Sequence, residues 1–149
     1  MHRILFVCHG NICRSTMAQF VFSDMAARAG RDDFIVDSAA TSREELGNLP
    51  HPGTVAKLRE EGVAVGAHRA RQIGRDEYGE WDLIVYMDRE NERNLKRILG
   101  GDPEGKCVKL LALAGKNRDV ADPWYTGDFD ATYRDVTIGC RALLDRFDS

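Results

Sequence analysis

Cys8, five intervening residues, Arg14 and Ser15 form a spacing with a mechanical use. The stretch Val7-Cys8-His9-Gly10-Asn11-Ile12-Cys13-Arg14-Ser15 follows an apolar run, Ile4 to Val7, and opens into a helical pattern. A cysteine placed there ends a strand and faces the backbone N–H groups of a tight loop and of the first helical turn. Those orphan donors and the positive end of the helix dipole favour a bound dianion, and the same field favours thiolate over thiol. The residues between cysteine and arginine can wrap N–H groups around phosphoryl oxygens, and the planar fork of Arg14 matches two such oxygens. Both grips strengthen as charge develops in a transition state. Gly10 and Asn11 tolerate the positive φ that such a loop needs. The Ser15 hydroxyl could donate to the sulfur or act as a plain helix cap.

A thiolate attacking phosphorus needs a second group to protonate the leaving oxygen and then to take a proton from water. Asp122, in Asp122-Pro123-Trp124-Tyr125, is the candidate; the competing reading is an aspartate that only starts a turn. The remaining aspartates have structural readings: Asp37 falls inside a strand pattern, Asp88 fits a helix cap, and Asp128 and Asp130 sit where a helix begins. Cys13 could approach Cys8 closely enough for a reversible disulfide, or could simply pack the loop. Cys107 and Cys140 fall in core patterns. A zinc site built from Cys8, Cys13 and a histidine lacks a second cysteine pair, and no cofactor or metal is expected. His68, after a glycine-rich bend, could orient polar groups of the loop, whereas His2, His9 and His51 read as solvated.

The elements that must hold these residues read as alternating strands and helices. Residues 3–8 form a nearly all-apolar strand, as in a parallel sheet covered on both faces. A helix follows from about Ser15 to Ala29, then a strand at Phe34–Ala39, giving a right-handed strand-helix-strand unit with the cysteine loop at its first turn. Ligands in such sheets bind there, beyond the strand C-termini. Residues 41–53 are a loop able to wall the site. A second helix around Val55 and Leu58 ends at Gly62, and residues 67–71 are a basic connector. Leu83–Met87 is a third strand, Asp88 caps a helix to Leu99 that Gly100 ends, and Val108–Leu113 is a fourth strand. Residues 122–125 should be a loop, because proline disfavours helix in the residue before it. Phe129 to Phe147 carries the clearest helical period. The expected fold is α/β, a four-stranded parallel sheet with helices on both faces, in a single domain over residues 1–149.

Composition bounds the partners. The chain has 149 residues, 43% of them hydrophobic, and a net charge of -3, so neither nucleic acid nor an anionic membrane surface is an expected partner. No apolar run approaches the roughly 18 residues of a membrane span, and the N-terminus lacks the apolar core of a secretory signal. A soluble, cytoplasmic protein with reduced thiols is expected, as a monomer or weak homodimer.

The motifs resemble the low-molecular-weight protein-tyrosine phosphatase family over essentially the whole chain. Cys8 to Ser15 is similar to its signature loop. Asp37-Ser38-Ala39, Thr41-Ser42 and His68-Arg69-Ala70-Arg71 resemble its supporting segments, and Asp122 to Tyr125 resembles its general-acid loop. The resemblance implies Cys8 as nucleophile, Arg14 as the phosphate clamp and Asp122 as general acid and then base. It also implies that Asn11, Ser38 and His68 hold the loop and that Ser15 assists the thiolate. Phosphotyrosine-bearing proteins become the expected substrates and inorganic phosphate the product. Trp124 and Tyr125 would wall the cleft with Glu44, which stands where relatives often carry an apolar residue. Thr16 replaces a common proline, and Ile12 departs from the threonine of the related arginine phosphatases.

Two other functions fit the same scaffold. An arsenate reductase needs resolving cysteines on a mobile segment after the third strand, and residues 80–100 contain none. A non-catalytic phosphopeptide-binding module would have little use for both Cys8 and Asp122.

Overall fold

The computed structural model describes residues 1–148. Strands β1 (His2–Cys8), β2 (Phe34–Ala40), β3 (Leu83–Tyr86) and β4 (Cys107–Lys109) form one sheet in the order β2-β1-β3-β4, all neighbours parallel. β1 therefore lies between two strands, and Ile4 to Val7 are fully buried. The pleat sends alternate residues to opposite layers. Ile4, Phe6 and Cys8 join the larger core, while Leu5 and Val7 join the other layer with Ile84, Leu95 and Leu99. The larger layer holds helices α1 (Arg14–Arg28), α2 (Pro52–Glu60) and α5 (Phe129–Arg146); α3 (Arg89–Leu99) covers the opposite face. The expected four-stranded parallel α/β architecture is what forms.

α3 shows how local signals set an element. Asp88 Oδ1 accepts the Asn91 N–H at 2.7 Å, and Gly100 closes the helix at φ 78°, a left-handed conformation that costs glycine no steric strain. Close packing elsewhere depends on another glycine. A Cβ on Gly139 of α5 would overlap the buried Leu110 side chain, so the helix can approach the end of β4 only without one.

Two segments differ from the sequence expectation. β4 stops at Lys109, and Leu111–Ala114 turns into a 3-10 helix ended by Gly115 at φ 74°. Leu110 and Leu111 are both fully buried in the same core layer. Adjacent strand residues point to opposite faces, so only a turn lets both enter one layer. Residues 122–125 are also not a loop: Pro123–Thr126 forms a single helical turn, α4, capped by Asp122. Proline keeps Asp122 extended, at φ -81° and ψ 114°, yet itself suits the first helical position.

Candidate active site

Cys8 ends β1 with only 3% of its surface exposed, and the chain then folds back over it. The Asn11 N–H points at Cys8 Sγ at 3.3 Å, and Ser15 Oγ lies 3.1 Å from the same sulfur. Asn11 adopts φ 60°, the only non-glycine residue described with positive φ. Such strain persists where surroundings over-determine it, and here they do. The Asn11 amide nitrogen donates to Ser15 Oγ at 2.8 Å and to Ser38 Oγ at 2.9 Å. Its oxygen accepts from His68 Nε2 at 2.8 Å and from the Arg71 N–H at 3.2 Å.

This network assigns protons. The backbone N–H of Arg71 can only donate, so the Asn11 atom facing it is oxygen, and His68 Nε2 must carry a hydrogen. Burial lowers the His68 pKa, opposed by Asp37 and assisted by Arg71. His68 therefore carries a hydrogen at Nε2, while its Nδ1 lies 3.5 Å from Asp37 Oδ1. Because Ser15 Oγ accepts from Asn11, its own hydrogen is free to point at Cys8 Sγ. The helix-cap alternative for Ser15 is not what forms, since α1 begins at Arg14 with Cys13 at its cap position.

Arg14 is 2% exposed, a buried cation that needs partners. Nη1 donates to Asp88 Oδ2 at 2.6 Å and to the Val120 carbonyl at 2.9 Å, while Nη2 reaches Asp122 Oδ2 at 3.4 Å. Burial alone would lower its pKa, but the facing Cys8 and Asp88 more than offset this and raise it. Nε is buried with no acceptor among the described residues. Asp122 divides its oxygens: Oδ1 accepts the Trp124 N–H at 3.0 Å, and Oδ2 faces Arg14. Asp122 thus starts the turn with one oxygen and turns the other toward Arg14.

The structure brings the expected residues into one cleft. Cys8, His9, Gly10, Ile12 and Cys13 line it together with Glu44, Asp122, Trp124 and Tyr125, and Ser38 and His68 stand behind the loop. Burial, with the facing Cys8 adding to it, pushes the Cys13 thiol up to about 12. Thr16, in place of proline, donates to the Cys13 carbonyl at 3.1 Å. Several readings change. Asp88 is more than a cap, because its second oxygen holds Arg14; its place just beyond β3, next to β1 in the sheet, was the available signal. Glu45 also lines the cleft. His9 is not simply solvated, since Nε2 sits 2.9 Å from Glu44 Oε2. His51 caps α2 by accepting the Gly53 N–H and stacks on Phe129. Within the basic connector Arg71 pairs with Asp37 and Glu77, whereas Arg69 donates to the Gly47 carbonyl at 2.9 Å.

Residues 3–149 match the family described as low molecular weight phosphotyrosine protein phosphatase. The chain belongs to this family. The low molecular weight protein-tyrosine-phosphatase YfkJ of Bacillus subtilis is 39% identical over 147 residues, covering 97% of this chain and 94% of that protein. Its crystal structure superposes with a TM-score of 0.94 at 38% identity, over 98% of this chain and 94% of the other. The low molecular weight phosphotyrosine protein phosphatase of Sus scrofa is 36% identical over 151 residues, 96% of this chain and 94% of that one. A Drosophila arginine phosphatase shares the fold at 27% identity and a TM-score of 0.89, with 98% of each chain covered. Fold alone therefore does not separate these differently named phosphatases. No helix described here is long and apolar enough to cross a membrane.

Proposed function

We propose that this phosphatase hydrolyses phosphotyrosine in proteins, and small aryl phosphates, through a phosphocysteine intermediate. The observation that carries the reading is the convergence on one cleft of Cys8 Sγ, held by the Asn11 N–H and Ser15 Oγ, and of Asp122. Arg14 Nε, buried without an acceptor, suits a phosphoryl oxygen. In the first step the Cys8 thiolate attacks phosphorus, and protonated Asp122 gives its proton to the departing phenolic oxygen. The Asn11 N–H and the Arg14 fork oppose the charge that builds on the equatorial oxygens. Ser15 stabilises Cys8 as a leaving group. In the second step ionised Asp122 takes a proton from water as that water attacks the phosphocysteine, releasing inorganic phosphate. Trp124 and Tyr125, 57% and 82% exposed, offer faces for a phenyl ring. Cys13, in the same loop and cleft, would condense with a Cys8 oxidised to the sulfenic acid, releasing water and forming a reversible disulfide.

Steady-state hydrolysis of p-nitrophenyl phosphate and of peptides bearing phosphotyrosine, phosphoserine and phosphoarginine tests this reading. Cys8→Ser should abolish turnover with the fold retained. Asp122→Ala should lower kcat by about two to four orders of magnitude, the usual scale of general acid catalysis. Turnover surviving in Cys8→Ser, or a preference for phosphoarginine, would refute it.

A further inference from the structure

The rim of the cleft carries charge of the wrong sign for a bare phosphate ester. Glu44 and Glu45 line the cavity that holds Cys8 and Asp122. The Glu44 side chain is 69% exposed and is drawn over the cysteine loop by His9, with 2.9 Å between Oε2 and Nε2. Glu45 packs on the loop, its Cγ 3.4 Å from where a Cβ on Gly10 would stand. Among the described residues, His9 is the only basic side chain lining that cavity, and Glu44 already engages it. Arg14 supplies no compensation at the rim, because it lies buried beneath and is held by Asp88 and Asp122.

A separate observation establishes what the floor wants. Arg14 Nε is buried without an acceptor, and the same guanidinium reaches Asp122 in the cleft, so an anion completes this group. An anion at the floor and carboxylates lining the same cavity repel each other, and salt screens such charges weakly within a Debye length of roughly 10 Å. A substrate that carries its own cation beside the phosphoryl group removes that repulsion and gains a pairing partner.

We propose that Glu44 and Glu45 make this cleft select phosphotyrosine flanked by lysine or arginine, the flanking cation pairing with these carboxylates while the phosphoryl group occupies the floor. The proposal rests on the phosphotyrosine reading above and narrows its substrate class.

The test compares kcat/KM on three phosphotyrosine peptides that differ only in having lysine, alanine or glutamate on both sides of the phosphotyrosine, with p-nitrophenyl phosphate run alongside. The lysine peptide should exceed the alanine peptide by about three- to tenfold, and the glutamate peptide should fall below it by a similar factor. Salt at about 0.5 M should compress the gap. In the double variant Glu44→Lys/Glu45→Lys the order should reverse, a gain for the acidic peptide that misfolding cannot produce. Equal rates on the three peptides, or an order unchanged in the double variant, overturn the proposal even while the aryl phosphate is hydrolysed. No turnover of any peptide or of the aryl phosphate by the unaltered protein overturns the phosphotyrosine reading, and this proposal with it.

Discussion

Asp88 holds Arg14 with one oxygen and caps α3 with the other, at 2.6 Å and 2.7 Å. The two roles can be separated. Asparagine caps a helix about as well as aspartate, so Asp88→Asn should keep α3 while removing the charge that orients the Arg14 fork. A hydrogen bond to a charged group contributes about 1.5–3 kcal/mol, so kcat/KM should fall about ten- to a hundredfold. Tm should fall as well, because the buried Arg14 guanidinium loses one of its two carboxylate partners. An unchanged kcat/KM would remove Asp88 from any role in positioning Arg14.

The two cysteines of the loop should differ in reactivity. Cys13 is pushed up to about 12, so it is a protonated thiol near neutral pH. Thiolate is the reactive form. Iodoacetate near pH 7 should therefore alkylate Cys8 and spare Cys13, with inorganic phosphate slowing the reaction at Cys8. Peptide mass mapping reads both sites, and comparable labelling of Cys13 would contradict the assignment.

His68 should make stability depend on pH. Its pKa in the folded chain lies below the ordinary histidine value, chiefly through burial. The unfolded chain then binds more protons between the two values, so stability rises with pH across that window. The contribution is complete above about pH 6.5, the unperturbed value, and is lost as pH falls toward the lowered one. Urea midpoints measured between about pH 5 and pH 8 should show this slope in the unaltered protein and a flatter profile in His68→Gln.

Gly139 should not accept a side chain. A Cβ there overlaps Leu110, which is fully buried. Overpacking of this kind costs about 1–3 kcal/mol, which in a chain of this size lowers Tm by about 2–12 °C. Gly139→Ala should show that drop by calorimetry, because the contact pins α5 against the end of β4. A Tm equal to that of the unaltered protein would mean that the helix shifts freely.

Much of the site is readable along the chain because its parts act on neighbours. Cys8 to Ser15 share one strand-loop-helix turn, so strand period, loop composition and helix start are enough to expect a buried cysteine facing N–H donors. Asp122 is harder: its pairing with Arg14 spans 108 positions, and Pro123 alone is compatible with a turn that has no chemistry. Its place in a loop beyond the last strand makes it a candidate, and only the family resemblance raises it above the plain turn reading. Asp88 reads as a complete local solution, a helix cap, and a residue with a sufficient local role conceals a distant one.

By itself the sequence determined the order of strands and helices, the placement of the loop at the first strand-helix turn and the ends of α3, because hydrophobic period, caps and glycines act within a few residues. Tertiary structure alone decided which charges meet. Arg71 is neutralised by Asp37 and Glu77, Arg14 is shared by Asp88 and Asp122, and Glu44 is held by His9. It also ended β4 at Lys109, since burying both Leu110 and Leu111 in one core layer depends on helices packed there from elsewhere in the chain. The physical reason is common to these cases. Coulomb forces and packing depend on distance in space, and that distance is set only when the parallel register of the sheet brings remote strand ends to one edge.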